Sequence, residues 1–330
     1  MKPVIVTGGA GFIGSHTCKR IAEAGYLPVT VDNLSTGHAD HAKWGPLCHV
    51  DVRNSDAMCD VIQAHGAKTV IHFAASAYVG ESVVDPLKYY DNNVGGMLAV
   101  MDAARKSGVE SFIFSSSCAT YGIPNQLPIS EEAEQNPINP YGRTKLVCEQ
   151  MLRDVSAAHG IRHAILRYFN AAGCDPSGDL SERHDPETHL IPLALRAAFG
   201  LTAPLEVFGT DYDTPDGTCI RDYIHVSDLA DGHLAALKHL EDAGDSISIN
   251  LGTGSGCSIL EVLSAIEQAT GRKVPVRFGA RREGDPAALV ADVSKANRIL
   301  GFKTRYSDID TIVKHAAPTF GMGQADADCA

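Results

Sequence analysis

The chain lacks what would mark a nucleic-acid binder, a disulfide scaffold or a membrane protein. Lys and Arg number 28 against 40 Asp and Glu, for a net charge of -12, which opposes contact with nucleic acid or an anionic bilayer. The same imbalance means that an anionic substrate needs arginines of its own. No two of the nine cysteines are closer than Cys48 and Cys59. That excludes C-x-x-C motifs, and the odd count points to reduced thiols in a cytoplasm. No apolar run approaches the ~20 residues of a membrane helix. Met1-Lys2-Pro3-Val4-Ile5-Val6 is too short for a signal-peptide core before it meets a glycine motif. There is no internal repeat, and no low-complexity tract apart from a small-residue tail after Phe320. G-x-S-x-G is absent, so Ser115-Ser116-Ser117 is not a nucleophile elbow. What remains is 330 residues, 44% hydrophobic and 21% charged. That is enough for one large soluble domain, or a main domain with a smaller lobe.

The first thirty residues carry a strand, a glycine-rich turn, a helix and a second strand. Pro3 to Thr7 is a short apolar strand, a helix runs to about Gly25, and Pro28 to Asp32 is the next strand. The glycines between them, Gly8, Gly11 and Gly14, depart from G-x-G-x-x-G spacing. They still permit a tight turn and close approach of the backbone to a pyrophosphate. Asp32 lies 18 residues past Gly14, about where an acid meets an adenosine ribose. No Lys or Arg stands in Asn33-Leu34-Ser35, where a 2′-phosphate would need one, so the cofactor expected is NAD rather than NADP.

Alternation continues with strands at Leu47 to Val52, Thr69 to Phe73, Ser111 to Ser115 and Ile161 to Phe169. Helices fall at Asp56 to His65, about Pro86 to Ser107, and from Tyr141 onward. This is the pattern of an α/β doubly wound parallel sheet, whose ligands sit outside the carboxyl ends of the strands. Beyond residue 170 the texture changes. Ala171 to Thr188 is a long polar excursion of the kind that forms a binding loop. Further helices are expected at Leu190 to Gly200 and Asp228 to Glu241, and strands at Leu205 to Phe208 and Arg221 to Val226. Ser258-Ile259-Leu260-Glu261 fits a capping box that opens a helix to Thr270. Residues 1–170, with help from about 221–250, read as a dinucleotide-binding domain, and residues 171–330 mainly as a smaller substrate lobe.

Asn139-Pro140-Tyr141-Gly142-Arg143-Thr144-Lys145 is the chemical centre of the sequence. Asn139 suits an N-cap and Pro140 the first helical position. Tyr141 and Lys145, four apart, then share a helix face. A tyrosinate base near pH 7 needs about 4 kcal/mol of help, and an ammonium neighbour and a helix N-terminus both favour the phenolate. Such a pair suits proton removal from a sugar hydroxyl while hydride leaves the same carbon. His184 with His189, and His38 with His41, are set aside as metal ligands because no cysteine or carboxylate is read at ligand spacing beside them. No metal is expected.

Taken in order, Phe114-Ser115-Ser116-Ser117, Asn139-Pro140-Tyr141-Gly142, Arg167-Tyr168-Phe169-Asn170, Gly217 to Val226 and Arg281-Arg282-Glu283-Gly284-Asp285 resemble the extended short-chain dehydrogenase/reductase family. Within it they resemble the UDP-glucose 4-epimerase branch. The resemblance runs from Thr7 to about Ala296. It implies NAD-dependent interconversion of UDP-glucose and UDP-galactose, with Ser117, Tyr141 and Lys145 as the catalytic trio. It places Gly8, Gly11, Phe12, Ile13, Gly14, Asp32, Asn33, Asp51, Val52, Phe73, Ala74, Asn92, Lys145 and Tyr168 around NAD. Ser117, Asn170, His189, Leu190, Phe208, Arg221, Arg282, Asp285 and Leu289 would hold the UDP-sugar, with Leu289 against its C2 substituent. Guanidinium groups suit the diphosphate because they make bidentate, charge-assisted bonds. Ala77 and His189 depart from the lysine and asparagine of some members. The resemblance also implies a homodimer through the helices at Pro86 to Ser107 and Tyr141 to His159, whose Met97, Val100 and Met101 are read as left over after sheet packing.

Three alternatives stand beside this reading. One is a 4-epimerase of another UDP-sugar, N-acetylated or a pentose. A dehydratase of the same family needs Asp-Glu just after the serine or threonine, where this chain has Cys118-Ala119. A non-catalytic NAD(H) sensor tends to lose the tyrosine or lysine, and both are present here.

Overall fold

A computed structural model describes residues 1–282 and 284–320. Glu283 and the tail from 321 lie outside the described residues. Seven parallel strands form the central sheet. Six of them, in chain order, are β1 (Pro3–Thr7), β2 (Leu27–Asp32), β3 (Leu47–His49), β4 (Thr69–His72), β5 (Ser111–Ser115) and β6 (Arg162–Tyr168). The spatial order is Ile247–Leu251, β6, β5, β4, β1, β2, β3. The order reverses beside β1, which opens a crevice at the carboxyl ends of β1 and β4.

These strands are apolar at successive positions because both faces are covered. Ile5 lies in register with Val29 on one side and Val70 on the other, and all three point to one layer. There Met58, Ile62, Met97, Val100, Met101, Cys148 and Leu152 pack over them from three helices, Ser55–His65, Gly96–Lys106 and Pro140–His159. Val4, Val6, Ile71 and Leu166 point the other way. They meet Cys18 and Ile21 of the helix Phe12–Glu23 and Leu229, Leu237 and Leu240 of Val226–Glu241. The smaller lobe has its own core, in which Ile191, Leu195, Val262, Ile266, Ile312 and Val313 join the helices Leu190–Ala198, Ile259–Thr270 and Ile309–Ala316. Ser258 and Glu261 form the expected capping box.

Four expectations need correction. The third strand stops at His49 rather than Val52, because Asp51 turns to accept from the backbone and side chain of Arg53. The long helix from Pro86 is interrupted by a π-helical turn, Tyr90–Gly95, and preceded by an unforeseen helix, Val79–Val84. At that turn Asn93 reaches away, donating to the Ser76 carbonyl at 3.0 Å and to Thr144 at 3.0 Å. The strand at Arg221 to Val226 is split into Ile220–Arg221 and Tyr223–His225. The break is Asp222, whose buried carboxylate accepts from the amides of Thr253, Gly254 and Ala291. Finally, Met97, Val100 and Met101 are not left over. All three are buried against the sheet, and the exposed apolar residues of this stretch are Leu87, Tyr90 and Leu98.

Candidate active site

The turn after β1 is shaped for a dinucleotide. Gly8 has φ +69°, and a Cβ there would lie 2.7 Å from the Ala74 amide nitrogen, so the turn and the end of β4 touch backbone to backbone. The helix that follows, Phe12–Glu23, starts at Gly11 with no side-chain cap and no acid in its first turn. Its free amides and positive end suit a pyrophosphate. At the end of β2, Asp32 is buried and accepts from the Ala10 amide at 3.0 Å and the Leu34 amide at 2.8 Å. Burial raises its carboxyl above the usual range against these amides, and each oxygen keeps a lone pair for a ribose hydroxyl. Asn33 donates to Asp51 at 3.2 Å. Arg53, the cation that could have answered a 2′-phosphate, is committed to Asp51 and Asp91. Val52 is buried beside Gly96. Asn92 lies in the π-turn and donates to Ser76 at 3.2 Å. These residues fit NAD.

The catalytic candidates meet beyond β5. The local signals act as the sequence implies: the Asn139 side chain accepts from the Gly142 amide at 2.8 Å, and Pro140 begins the helix Pro140–His159. A Cβ at Gly142 would lie 2.4 Å from the Ala119 carbonyl oxygen, so glycine lets this helix start against the turn that carries Ser117. Ser117, Tyr141 and Lys145 are all buried, at 8%, 6% and 3% exposure. Burial drives the Tyr141 phenol well above 10, and hydrogen bonding with Ser117 pulls it back only in part. Lys145 shares the helix face of Tyr141, as its spacing predicts, and its ammonium also has a backbone partner. Its Nζ donates to the Ser115 carbonyl at 2.7 Å and lies 5.9 Å from the centre of the Tyr141 ring. Burial lowers it to about 8. Tyr168, at the end of β6, is raised by burial and eased by Ser115. Phe73 packs on His233, with ring centres 4.6 Å apart.

Beneath this group lies a buried ion pair that the sequence did not reveal. Arg167 donates to Glu149 at 2.9 and 2.7 Å, Ser116 donates to Glu149 at 2.6 Å, and Arg167 also reaches the Tyr121 hydroxyl at 2.8 Å. Burial alone would raise the Glu149 carboxyl, but Arg167 holds it below its usual range. The signal was present in Arg167, a charge inside an apolar strand, but its partner lies on another element.

The smaller lobe brings the substrate candidates together in part. Arg221 pairs with Asp285 and donates to the Ile220 carbonyl at 2.8 Å. Arg282 lies over the Phe208 ring, 4.1 Å from its centre. Leu289 stands beside Arg221 in the parallel pairing of two short strands, half-buried against Cys118, Tyr121, Ile129 and Phe169. Asn170 is exposed at the head of a short strand. His189 and Leu190 open the helix Leu190–Ala198, and His189 is also part of a second group. His189 faces Glu182 and Glu187 at 3.2 and 2.9 Å, and His184 lies 3.4 Å from each carboxylate. The reason for setting these histidines aside therefore does not hold, since the missing carboxylates are Glu182 and Glu187. Burial lowers His189, but the two carboxylates outweigh it and push it up to about 10.

Comparison with known proteins follows the same lines. The model of the NAD dependent epimerase/dehydratase family matches residues 4–252. A UDP-glucose 4-epimerase of Rhizobium meliloti (strain 1021) is 51% identical over 313 residues, covering 95% of each chain. The crystal structure of UDP-glucose 4-epimerase from Brucella ovis in complex with NAD is 57% identical, with a TM-score of 0.96 over 97% of this chain and 99% of that one. The enzyme from Stenotrophomonas maltophila, solved with NAD and formylated UDP-arabinopyranose, is 40% identical with a TM-score of 0.94, covering 99% and 100% of the two chains. About half of the residues are thus shared with the Rhizobium meliloti enzyme over 95% of each chain. The chain belongs to the NAD dependent epimerase/dehydratase family, within the extended short-chain dehydrogenases/reductases and beside the UDP-glucose 4-epimerases.

Proposed function

We propose that the chain interconverts UDP-glucose and UDP-galactose by transient oxidation at C4, with Ser117, Tyr141 and Lys145 as its reacting machinery. The observation that carries this is the buried Tyr141 of the Lys145 helix set beside Ser117 of the turn after β5, in a fold whose glycine turn fits NAD. NAD, when bound, supplies a reversible hydride acceptor with a positively charged ring. Tyr141 takes the proton of the 4-hydroxyl, and Ser117 bridges that oxygen and the phenol. Lys145, fixed on the Ser115 carbonyl, holds the cofactor side of the pocket and adds positive charge near the phenol ring. Once the 4-keto sugar has turned over in the pocket, Tyr141 returns the proton from the same position. Gly8 to Gly14, Asp32, Asn33, Asp51, Val52, Phe73, Ala74, Asn92 and Tyr168 bind NAD. Asn170, Leu190, Phe208, Arg221, Arg282, Asp285 and Leu289 hold the UDP-sugar, with the diphosphate taking over Arg221 from Asp285.

The dehydratase alternative fails on chemistry. Cys118 stands where an acid is needed, and burial pushes its thiol up to about 12. The division into an NAD-binding domain, residues 1–170 with the 221–250 contribution, and a sugar lobe is supported by the strand Ile247–Leu251 joining the main sheet. Two copies pair through the outer faces of Pro86 to Ser107 and Tyr141 to His159, where Leu87 and Leu98 are 78% and 61% exposed. Among the described residues no helix is long and apolar enough to cross a membrane, and unpaired cysteines fit a reducing cytoplasm. The test is purified protein mixed with UDP-glucose and no added NAD. UDP-galactose should form; its absence, with NAD bound, would sink the proposal.

A further inference from the structure

Outside the reacting centre, the polar excursion after Ala172 folds four side chains onto one point. Glu182, His184, Glu187 and His189 each present one ligand atom, and these atoms all lie within 4.8 Å of one another. The Nδ1 atoms of His184 and His189 lie 3.4 and 3.2 Å from Glu182 Oε1, and Glu187 turns Oε2 to His184 at 3.4 Å and Oε1 to His189 at 2.9 Å. A tetrahedral ion with ligand bonds of about 2.0–2.1 Å has edges of about 3.3 Å. We propose that Glu182, His184, Glu187 and His189 form a structural site for one divalent transition cation of the zinc class.

Three observations favour an ion over a plain hydrogen-bonded knot. The Glu182 and Glu187 side chains are 1% and 3% exposed, so two carboxylates are held side by side away from water, facing two imidazoles whose charge a divalent ion would replace. Among the described residues no lysine or arginine pairs with either of them; nearby Arg183 is taken by Asp40 at 2.7 and 2.8 Å. Moreover, Glu182 Oε1 is a buried oxygen without a hydrogen-bond partner, although two imidazole nitrogens lie 3.2 and 3.4 Å away. That is ligand spacing with poor hydrogen-bond alignment. Glu187 is aimed by its surroundings, since its Oε1 accepts from the Thr188 and His189 amides at 2.8 Å each, as supporting contacts do for metal ligands. The mixed imidazole and carboxylate set suits Zn²⁺ better than Mg²⁺ or Ca²⁺, which prefer oxygen alone.

The cation would act as a clasp. The His184 ring lies 5.9 Å from Phe12, the first residue of the helix after the glycine turn, and 6.3 Å from Tyr78. The four ligands fall within eight residues, so binding closes a short loop and fixes it against these two aromatic rings. Metal binding of this kind does not depend on the proposed reaction.

The test uses the full chain with its cofactor, dialysed against a chelator and titrated with ZnCl₂, with bound metal counted by mass spectrometry. One Zn²⁺ per chain should bind, and a large excess should raise the thermal midpoint by roughly 5 °C. Glu182→Gln and His184→Ala should each weaken binding at least ~10–100-fold. X-ray absorption of the zinc-loaded wild type should show four light ligands at about 2.0 Å, two of them imidazole. No zinc bound at 100 µM, or equal affinity in wild type and both variants, would overturn the site. Sulfur ligation in the absorption spectrum would also overturn it, by moving the metal to a cysteine, whether or not either variant folds.

Discussion

Beneath Ser117, the Arg167 and Glu149 side chains are 2% and 0% exposed and tied by two direct bonds, whereas in the smaller lobe Arg282 simply rests on the Phe208 ring and Arg221 has one carboxylate partner in Asp285. The first region is built to be the same with or without ligand. Its charges are compensated inside the protein, and Ser116, next to Ser117, is tied to Glu149. The second is built to change partners. Its guanidinium groups rest on a ring, or on one acid and one carbonyl, from which the diphosphate of the proposed substrate would draw them. Under the proposed function, rigid geometry serves the atoms that would move protons, and exchangeable pairing the part of the substrate that would not react.

The sharpest break of this comparison is Tyr141→Phe, which should lower turnover by about 10²–10⁴-fold while bound NAD stays unchanged. Turnover near that of the wild type would remove Tyr141 from its role. Next comes the scaffold beneath it. Glu149→Ala strands the Arg167 charge and should cost about 3–5 kcal/mol of stability in denaturant unfolding. A cost below about 1 kcal/mol, as at an exposed position, would show that the pair is not needed to hold the fold.

Lys145 gives a pH signature. Burial lowers it from 10.5 to about 8. Below pH 8 folded and unfolded chains both carry the proton and the full burial penalty applies. Between pH 8 and 10.5 the folded chain has released the proton while the unfolded chain still holds it. Stability should therefore rise with pH in that window, by at most about 3 kcal/mol. Lys145→Met, compared with wild type at pH 7.5 and 10, should lack that rise; identical slopes would place the lysine in a wetter setting.

In the smaller lobe Arg282→Ala should leave stability within about 0.5 kcal/mol. It should raise KM for the UDP-sugar roughly 10–100-fold, the worth of one charged hydrogen bond, with kcat little altered. An equal fall in kcat would mean that this arginine acts in the transition state. The mildest expected change is Leu289→Tyr. Wild type should prefer plain hexoses over N-acetylated analogues by about 10–200-fold, and tyrosine should abolish the slower reaction while sparing UDP-glucose. Equal loss of both would turn Leu289 away from the C2 group.

Local rules decided much of this chain before any folding. Gly8, Asn139, Pro140, Ser258 and Glu261 act within a few residues of themselves, so the glycine turn, the cap of the Tyr141 helix and the capping box could be read directly from sequence. The parallel sheet followed from alternating apolar runs, and the placement of Asp32 from its distance to Gly14. Other features depended on partners far along the chain. Tertiary contact with Ser76 and Thr144 pulls Asn93 into a π-turn. Asp222 splits a strand because amides at 253, 254 and 291 converge on it. Helix periodicity showed Met97, Val100 and Met101 as apolar, but which face met the sheet was settled by packing, which left Leu87 and Leu98 outside instead. Lys145 shares the Tyr141 face, as four-residue spacing requires, yet its ammonium goes to the Ser115 carbonyl because burial leaves that acceptor closest. Spacing in sequence fixes what a turn or a helix face can present. Which distant group answers it is decided by the need to satisfy every buried charge and polar atom at once, and that need arises only when the whole chain has closed around them.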